Sequence, residues 1–470
     1  MEIKFLGTVN EENFMDNMKA CTAAGMLSRS EGTVFDIIEK VEKMSPETVE
    51  KIIKKIVNMG HTAIIDHDYF LFAISEVSPV VEQIIIASRF CSFTIKSRRE
   101  VDFGKVGYIT PQFKDQNLEK EYKEHMDYLF ESYQRLLDEG ISKEDSRYIL
   151  PYSYYSQIIM GMSATELEKL INMLVNTKKG NITELKEFGI ELRNIATTRA
   201  PYLKVLTEKR QSKDYSEIEK ILNEKLEIPK QEKIDSPILL SYTNNIDETI
   251  ITNILMRVYN ISFETAKEMY DTSMKEDEQL CFELLKACQD EFNRVDLTSI
   301  NFRFQVPFSF ANLTHITRHR TVDLSIPDFV PNTNLTNYII PPKVEENEKA
   351  RSIFLEVMKR NLEVYKKFKD LSVREEDLVY FTLSGNVVNI IAAFNGENFR
   401  HITSLRECRK AQWEIRGLLN KMDELISEKC KYYSQVIGAN CATLGRCPEG
   451  KESCKIPYAK KGNMGNFNIG

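Results

Sequence analysis

The chain has 470 residues, of which 42% are hydrophobic and 28% are charged. This composition is that of a globular protein, and the length predicts two or three domains. The net charge is -7, and Lys and Arg are spread along the chain, which argues against a surface built for a nucleic-acid polymer. The N-terminal segment lacks the apolar core of a signal peptide, and no apolar run approaches the roughly 20 residues of a membrane helix. Nine cysteines, an odd number, argue against a disulfide framework, so we expect a cytoplasmic protein without membrane partners.

Hydrophobic periodicity and helix-start signals predict a helical N-terminal region, followed by extended and helical segments in turn. Aromatic and β-branched residues predict a strand over 69–75 and an extended segment over 90–95. Helices are predicted over 12–26, 33–43, 46–58, 79–87 and 117–139, and from after Pro151 to about Tyr202.

A run rich in Lys, Glu and Gln, residues 206–234, predicts a charged helical linker between two domains. The predicted domains are 1–205 and 235–470, and the second ends in a cysteine-containing tail, 430–470. In the second domain we predict a strand over 301–308, an extended stretch over 323–330 and a Pro- and Asn-rich loop over 332–344. Its helices are predicted over 247–259, 262–274, 276–294 and 345–369, before Arg318, after Val373 and over 402–430.

Arg318, His319 and Arg320 form a basic triplet after the strand-like run. Guanidinium and imidazole donors of this kind suit a phosphate, an anionic ring or a flavin. A solvated turn or helix end explains most such triplets, so the residues alone leave both interpretations open.

The order of predicted elements repeats along the chain, and so do short phrases. Arg89 corresponds to Arg320 and Arg147 to Val379, which are offsets of 231 and 232 residues. The segment that begins at Glu191 is matched to the one that begins at Glu414. The sequence therefore predicts a tandem duplication.

The triplet and the later segment 405–416, which contains Arg406 and Ala-Gln-Trp-Glu-Ile, resemble the flavin-dependent thymidylate synthases of the ThyX family. The resemblance covers both copies. It implies an α+β (α/β) fold of two tandem domains, each a small twisted, mainly antiparallel sheet with flanking long helices. It also implies reductive methylation of dUMP to dTMP, with methylenetetrahydrofolate as one-carbon donor, NADPH as reductant and FAD as cofactor.

By this resemblance each copy keeps a different part of one site. Copy one keeps Ser97, Arg99 and Arg147, which would bind the nucleotide phosphate, whereas copy two keeps the triplet and Arg406. Such a split implies one composite site from both halves of the chain, and a homodimer that rebuilds a pseudo-tetramer. The abandoned positions are Ala87, Ser88 and Arg89 in copy one, and Asp328, Val330 and Val379 in copy two.

The resemblance implies individual roles as well. Arg318 and Arg406 would face the pyrimidine and stabilise its developing negative charge, as catalytic and substrate-binding residues. His315 and Ile95 stand where the family has Gln and Glu, so the pyrimidine accepted could differ. The residues that would hold FAD are His61, Arg318, His319, Arg320, Asn395 and His401.

Other interpretations stay open at this point. The chain could be a catalytically silent relative that binds nucleotide or flavin. Singly, each site residue has a structural explanation: His61 and His67 as structural histidines, Arg98 and Arg99 as a solvated pair, Arg147 as a partner of Glu144 or Asp145, and Arg406 and Arg409 as partners of Glu407 and Glu414.

Four cysteines lie in the tail, and their spacing differs from the CxxC pairs of common zinc sites. We predict no metal. If one binds, the candidate ligands are Cys441, Cys447 and Cys454. Reduced thiols packed in a loop are the alternative.

Overall fold

The computed structural model describes residues 1–7, 17–27, 30–209, 216–227, 232–328 and 334–458. Its elements follow the same order in the two halves of the chain. In the first half they are β1 (Glu2–Gly7), α1 (Asn17–Leu27), α2 (Val34–Glu42), α3 (Pro46–Asn58), β2 (Tyr69–Val77), α4 (Pro79–Ala87), β3 (Cys91–Ile95), α5 (Gln116–Asp138), β4 (Ser156–Ser163), α6 (Ala164–Asn176), α7 (Thr183–Arg199), α8 (Tyr202–Lys209) and α9 (Ser216–Asn223). In the second half they are β5 (Ile238–Tyr242), α10 (Ile246–Tyr259), α11 (Phe263–Met269), α12 (Glu278–Ala287), β6 (Asn301–Ser309), α13 (Phe310–Ile316), β7 (Asp323–Ser325), α14 (Glu348–Asp370), β8 (Val387–Asn395), α15 (Gly396–Arg406) and α16 (Trp413–Ser427).

Short helical turns connect these elements. Those that matter for the site are Thr62–His67 before β2, and Lys143–Ser146 with Arg147–Ile149 before β4. The others are Lys178–Asn181, Tyr270–Met274, Arg294–Ser299, Pro342–Glu345, Glu375–Leu378, Val379–Phe381, Tyr433–Gln435, Asn440–Thr443 and Gly450–Glu452.

Contacts divide the chain into two compact units. The first unit is Met1–Gln231 with Phe329–Asn386, and its sheet has the strand order β1-β2-β4-β3. The second is Glu232–Asp328 with Val387–Gly470, and its sheet has the order β5-β6-β8-β7. All strand pairs are antiparallel. The predicted α+β class and the tandem repeat are therefore confirmed, while the predicted domain boundaries stay a prediction.

Alternation of side chains builds both cores. In β2 the inward side chains include Phe70 and Phe72, and in β6 they include Phe302 and Phe304, all essentially without solvent exposure. The first unit also contains α14, which packs on α5. Both of these helices have 23 residues, and each begins after a side-chain cap, Asp115 for α5 and Asn347 for α14.

Strands β4 and β8, which the sequence did not predict, are central strands of the two sheets. Residues 151–202 were expected to be helical, but β4 occupies 156–163 and pairs with both β2 and β3. Its run of Ile, Met and Gly has no strict alternation, and therefore does not distinguish a buried strand from a helix. Strand β8 was likewise missed, as were the sheet-edge strands β1 and β5.

The helix predicted over 402–430 is two helices, α15 and α16. They are separated at Gln412, whose side-chain oxygen accepts hydrogen bonds from the backbone N–H groups of Glu414 (2.8 Å) and Ile415 (3.1 Å). A new N-terminal cap therefore interrupts the helical periodicity. The helix predicted over 276–294 is also shorter and ends as α12 at Ala287.

Several predictions fall partly outside the described residues. These are positions 12–16 of the first helix, 210–215 and 228–231 of the linker, Val330 and its neighbours at 329–333, and 459–470 of the tail. Among the residues that are described, no helix combines the length and the apolar character needed to cross a membrane.

Candidate functional site

The turn after β3 carries two of the predicted nucleotide-binding residues. Ser97 is the centre of this turn: its Oγ accepts a hydrogen bond from the backbone N–H of Arg99 (3.3 Å), and its carbonyl accepts one from Val101 (3.0 Å). The Arg99 guanidinium forms an ion pair with Glu144. The structure thus connects the turn after β3 to the short helix Lys143–Ser146.

Arg147 follows that short helix and contacts the same residue. Its Nε donates a hydrogen bond to the backbone carbonyl of Glu144 (3.1 Å). Glu144 therefore contacts both Arg99 and Arg147, so the structure brings Ser97, Arg99 and Arg147 into one cluster. Arg147 therefore donates to a backbone carbonyl oxygen of Glu144, and not to a neighbouring carboxylate as the alternative interpretation held.

Arg147 is only 2% exposed, and its Nη2 has no hydrogen-bond partner among the described residues. Burial, together with the positive charge of nearby Arg98, lowers the pKa of the Arg147 guanidinium. A buried cationic donor without an acceptor is costly, and the cost disappears when an anion supplies oxygen acceptors. The surroundings of Arg147 are therefore those of an anion-binding site.

Arg98 is a residue whose importance the sequence did not reveal. The interpretation of Arg98 and Arg99 as a solvated pair is wrong for Arg98, which is 9% exposed. Its two terminal nitrogens donate to the two carboxylate oxygens of Glu82 (2.9 and 3.1 Å). Glu82 also accepts from Ser156 Oγ (2.7 Å), and Arg98 contacts the Tyr154 hydroxyl. Although burial alone would lower the pKa of Arg98, Glu82 raises it above its usual value.

A signal for this pair was present in the sequence. Glu82 is the single charged residue of helix α4, Pro79–Ala87, whose other residues are apolar except for Gln83, and it is fully buried. A carboxylate at such a position requires a buried cationic or hydrogen-bonding partner. That partner is Arg98, which lies in the sequence between Ser97 and Arg99.

In the second unit the basic triplet follows α13. Arg318 and Arg320 are exposed, whereas His319 is buried between them. The Arg406 Nε, at the end of α15, donates to His319 Nε2 (3.1 Å), and the rings of His319 and His401 meet edge to face with centroids 5.8 Å apart. The structure therefore brings Arg406, His319 and His401 together.

Electrostatics fixes the protonation state of this cluster. Burial, followed by the charges of Arg406, His401 and Arg318, lowers the pKa of His319 to about 3. His319 is therefore neutral at physiological pH, and its Nε2 can accept the hydrogen bond that Arg406 Nε donates. Burial also lowers the pKa of His401. The result is a cation, Arg406, whose orientation is set by a neutral imidazole.

Other predicted residues of the second unit have defined positions. His315 is buried in the last turn of α13. Asn395 caps α15 through its Oδ1, which accepts from the Asn398 N–H (2.8 Å), and Asn398 in turn donates to the carbonyl of Thr321 beside the triplet (2.8 Å). Through this cap, Asn395 connects the start of α15 to the segment that follows the triplet.

His61 and His67 lie at the two ends of the turn Thr62–His67 in the first unit, and both are exposed. An exposed position does not suit a histidine that serves only to complete a core. Their predicted role remains a prediction, as do the roles of the other site residues.

The tail cysteines were the candidate metal ligands. Among the described residues, no three His, Cys, Asp or Glu side chains are placed to hold a single metal ion. All nine cysteines are free thiols.

Comparison with known proteins points to one family. The sequence model described as "Thymidylate synthase complementing protein" matches residues 12–202 and 238–430, which is well over half of the chain and occurs once in each half. The curated relatives include the flavin-dependent thymidylate synthase of Saccharolobus solfataricus, 29% identical over 34% of this chain and 60% of the relative. Another is that of Pyrococcus horikoshii, 32% identical over 29% of this chain and 58% of the relative.

The aligned region of this chain spans less than two thirds of the length of these relatives. A solved structure, thymidylate synthase X from Helicobacter pylori with FAD and dUMP, is 15% identical and covers 44% of this chain and 100% of that chain, with a TM-score of 0.35. The match in sequence over both halves of the chain shows the family.

Proposed function

The chain belongs to the thymidylate synthase complementing protein family, and from this premise we propose that it is an FAD-dependent thymidylate synthase. The reaction is the reductive methylation of dUMP to dTMP, with methylenetetrahydrofolate as one-carbon donor and NADPH as reductant. FAD would supply the hydride chemistry, and the protein would supply binding, orientation and electrostatics.

The observation that carries the proposal is the buried Arg147 Nη2 without an acceptor. A nucleotide phosphate would supply that acceptor, and Arg99 and Ser97 stand in the same cluster. Guanidinium groups form strong charge-assisted hydrogen bonds to phosphate oxygens. We therefore assign the phosphate of dUMP to Ser97, Arg99 and Arg147.

Arg406 and Arg318 are proposed to stabilise negative charge on the pyrimidine, with His315 beside the ring. The neutral His319 fixes Arg406 through its Nε, so the guanidinium is oriented before substrate binds, as electrostatic catalysis requires. The exposed guanidinium groups of Arg318 and Arg320 suit the phosphates of FAD, and we assign FAD to these two, His319, Asn395, His401 and His61.

Each copy keeps only part of this set, so we propose that activity requires both halves. A homodimer in which four copies of the repeat are present is the expected assembly. Loss of dTMP formation in both Arg147→Ala and Arg406→Ala would support the shared requirement. Full activity in either variant contradicts it.

The decisive experiment measures dUMP binding and dTMP formation by the purified full-length protein. We expect a yellow protein that converts dUMP to dTMP when methylenetetrahydrofolate and NADPH are added. Arg147→Ala should weaken dUMP binding by about 10- to 100-fold, since a hydrogen bond to a charged group contributes about 1.5–3 kcal/mol. Arg147→Lys should weaken dUMP binding less, because lysine keeps the positive charge and loses only the paired hydrogen bonds of the planar guanidinium.

Arg135→Ala, on the exposed side of α5, is the matched control and should bind dUMP like the parent. Circular dichroism of each variant checks that the chain still folds. A protein that binds flavin or dUMP but forms no dTMP would be the catalytically silent relative. Unchanged dUMP affinity in Arg147→Ala would refute the phosphate assignment.

A further inference from the structure

The nine cysteines fall into two groups with different surroundings. Cys21, Cys91, Cys281 and Cys288 are buried core residues, whereas the other five are partly exposed and all lie within residues 408–454. Four of these five line one cavity of about 480 Å³ in the second unit; they are Cys408, Cys441, Cys447 and Cys454. Buried thiols behave as small apolar side chains, so the core group needs no further explanation.

The segment that carries the tail cysteines contacts the turn between α15 and α16. Lys410 in that turn donates to Glu449 (2.8 Å) and to the carbonyl of Glu452 (2.8 Å). Arg409 lies over the ring of Tyr458, 4.2 Å from its centroid. Within the exposed segment 446–457, only Cys447, Ser453 and Cys454 are half-buried. Both cysteines line the cavity and are less exposed than most of their neighbours in this segment.

Cys408, Cys441, Cys447 and Cys454 line one cavity together. No three ligand side chains among the described residues are placed for a single ion, so a tetrahedral zinc site does not fit this arrangement. In a four-iron, four-sulfide cluster each thiolate binds a different iron, and the thiolates stand apart around the inorganic core. We propose that Cys408, Cys441, Cys447 and Cys454 hold a [4Fe–4S] cluster in this cavity.

The charge of the cavity agrees with such an occupant. Arg409, Lys410, Arg446 and Lys455 line it together with one carboxylate, that of Glu449. Each thiol releases its proton when it binds iron, so the thiolate-bound cluster is anionic and is stabilised by surrounding cations. The backbone N–H of Tyr458 also donates to Cys441 Sγ (3.4 Å), the type of N–H···S hydrogen bond that tunes cluster sulfur.

Most of the site lies beyond the region that carries the family resemblance, although Cys408 lies within it. The family match ends at residue 430, whereas three of the four thiols are at 441–454. Cys408 lies just after α15, and Ser404 and Leu405 of that helix also line the cavity. The cluster would thus fasten the tail to the helix that carries His401 and Arg406.

The test is iron and sulfide analysis of the full-length protein, purified without oxygen and then reconstituted with ferrous iron and sulfide. We expect about four iron and four sulfide per chain, with a broad visible absorption that dithionite bleaches. Cys447→Ser and Cys454→Ser should each lose most of this iron. Cys430→Ser is the matched control, because its partly exposed thiol donates to the Ile426 carbonyl (3.2 Å) and does not line the cavity.

Three results would overturn the assignment: no bound iron after reconstitution, zinc alone at one ion per chain, or equal iron in Cys447→Ser and the parent. The absorption of the flavin is measured in the cysteine variants and subtracted from the spectrum of the parent. Because the readout is metal content, the result does not depend on whether the chain makes dTMP.

Discussion

The helix α4 of the first unit and the helix α13 of the second begin in the same way. The N–H and Oγ of Ser78 donate to Glu184 (2.7 and 2.6 Å), and those of Ser309 donate to Glu414 (2.8 and 2.6 Å). All four residues are buried. The cap that fixes the start of the helix after the central strand is therefore common to both copies. The two copies differ in the buried residues that follow this cap.

Four residues after each capping serine the copies differ. The first unit has Glu82, which is fully buried and paired with Arg98, whereas the second has Leu313, fully buried in an apolar position. The helices α5 and α14 show the same contrast, because His125 and Asn361 form a buried hydrogen bond (2.9 Å) while their counterparts by position, Val357 and Leu129, are apolar. Buried polar pairs thus distinguish equivalent positions, and one of them adjoins the predicted phosphate site.

Breaking the Glu82–Arg98 pair is the change with the largest expected effect on stability. Glu82→Gln leaves the Arg98 guanidinium buried without its carboxylate, which costs about 3–5 kcal/mol in similar buried pairs. The free energy of unfolding, measured by urea denaturation, should fall by this amount. Since Arg98 lies between Ser97 and Arg99, dUMP affinity should fall as well.

The matched variant makes the first copy resemble the second. Glu82→Leu combined with Arg98→Met removes both charges and should be less destabilising than Glu82→Gln alone, since no buried charge is left unpaired. If the double variant is the less stable of the two, the pair contributes net stability, and the contrast with Leu313 has a different origin.

The repeat itself could be predicted from the sequence, and so could most helices outside its centre. The boundaries of α3 and α4 are those predicted, because Pro46 and Pro79 follow serine caps at their first positions. Alignment of short sequence segments failed at one position. It matched Glu191 to Glu414, whereas the hydrogen bonds from Ser78 and Ser309 show that Glu184 is the counterpart of Glu414. Tertiary contacts, which no local phrase contains, decide that correspondence.

The candidate site was predictable only as a set of residue types. In the cluster Ser97–Arg99–Arg147, Arg99 and Arg147 are 48 positions apart and meet at Glu144, and in the cluster His319–Arg406–His401, His319 and Arg406 are 87 positions apart. The sequence supplied the members of both clusters through family resemblance. It did not reveal the pairing of Arg98 with Glu82, and although it named Cys441, Cys447 and Cys454 as a group, it did not reveal that Cys408 lines the same cavity, because each of these depends on residues that meet only after folding. The strands β4 and β8 were missed because apolar residues occupy the less buried face as well as the core face, so the sequence lacks the alternation of polar and apolar residues that marks a strand.

A pH titration sharpens the contrast between α5 and α14. Burial lowers the pKa of His125 to about 4, from 6.5 in the unfolded chain. Between these two values the unfolded state binds a proton that the folded state does not, so the free energy of unfolding falls as pH drops through this window. The loss of unfolding free energy should approach about 3 kcal/mol near pH 4, and it should disappear as pH rises above about 6.5.

The measurement is urea denaturation at several pH values, read as the difference between parent and His125→Gln. The parent should lose more stability on acidification than the variant, since the variant has no imidazole to protonate at this position. His67→Gln, which changes an exposed histidine of the same unit, is the control and should not remove this difference. Parallel pH profiles for the parent and His125→Gln would show that the buried histidine is not the source.

The smallest expected effect tests what the two copies share. Ser78→Ala and Ser309→Ala each remove a capping hydroxyl and should each lower the free energy of unfolding by about 1–2 kcal/mol, because each variant also withdraws a donor from a buried glutamate. Ser45→Ala, at the exposed cap of α3, should cost less, since water replaces the lost contact there. A large loss for Ser78→Ala with none for Ser309→Ala would mean that the two caps, alike in geometry, do not stabilise their units alike. Equal losses would show that the shared cap stabilises both copies alike, although their buried pairs and site residues differ.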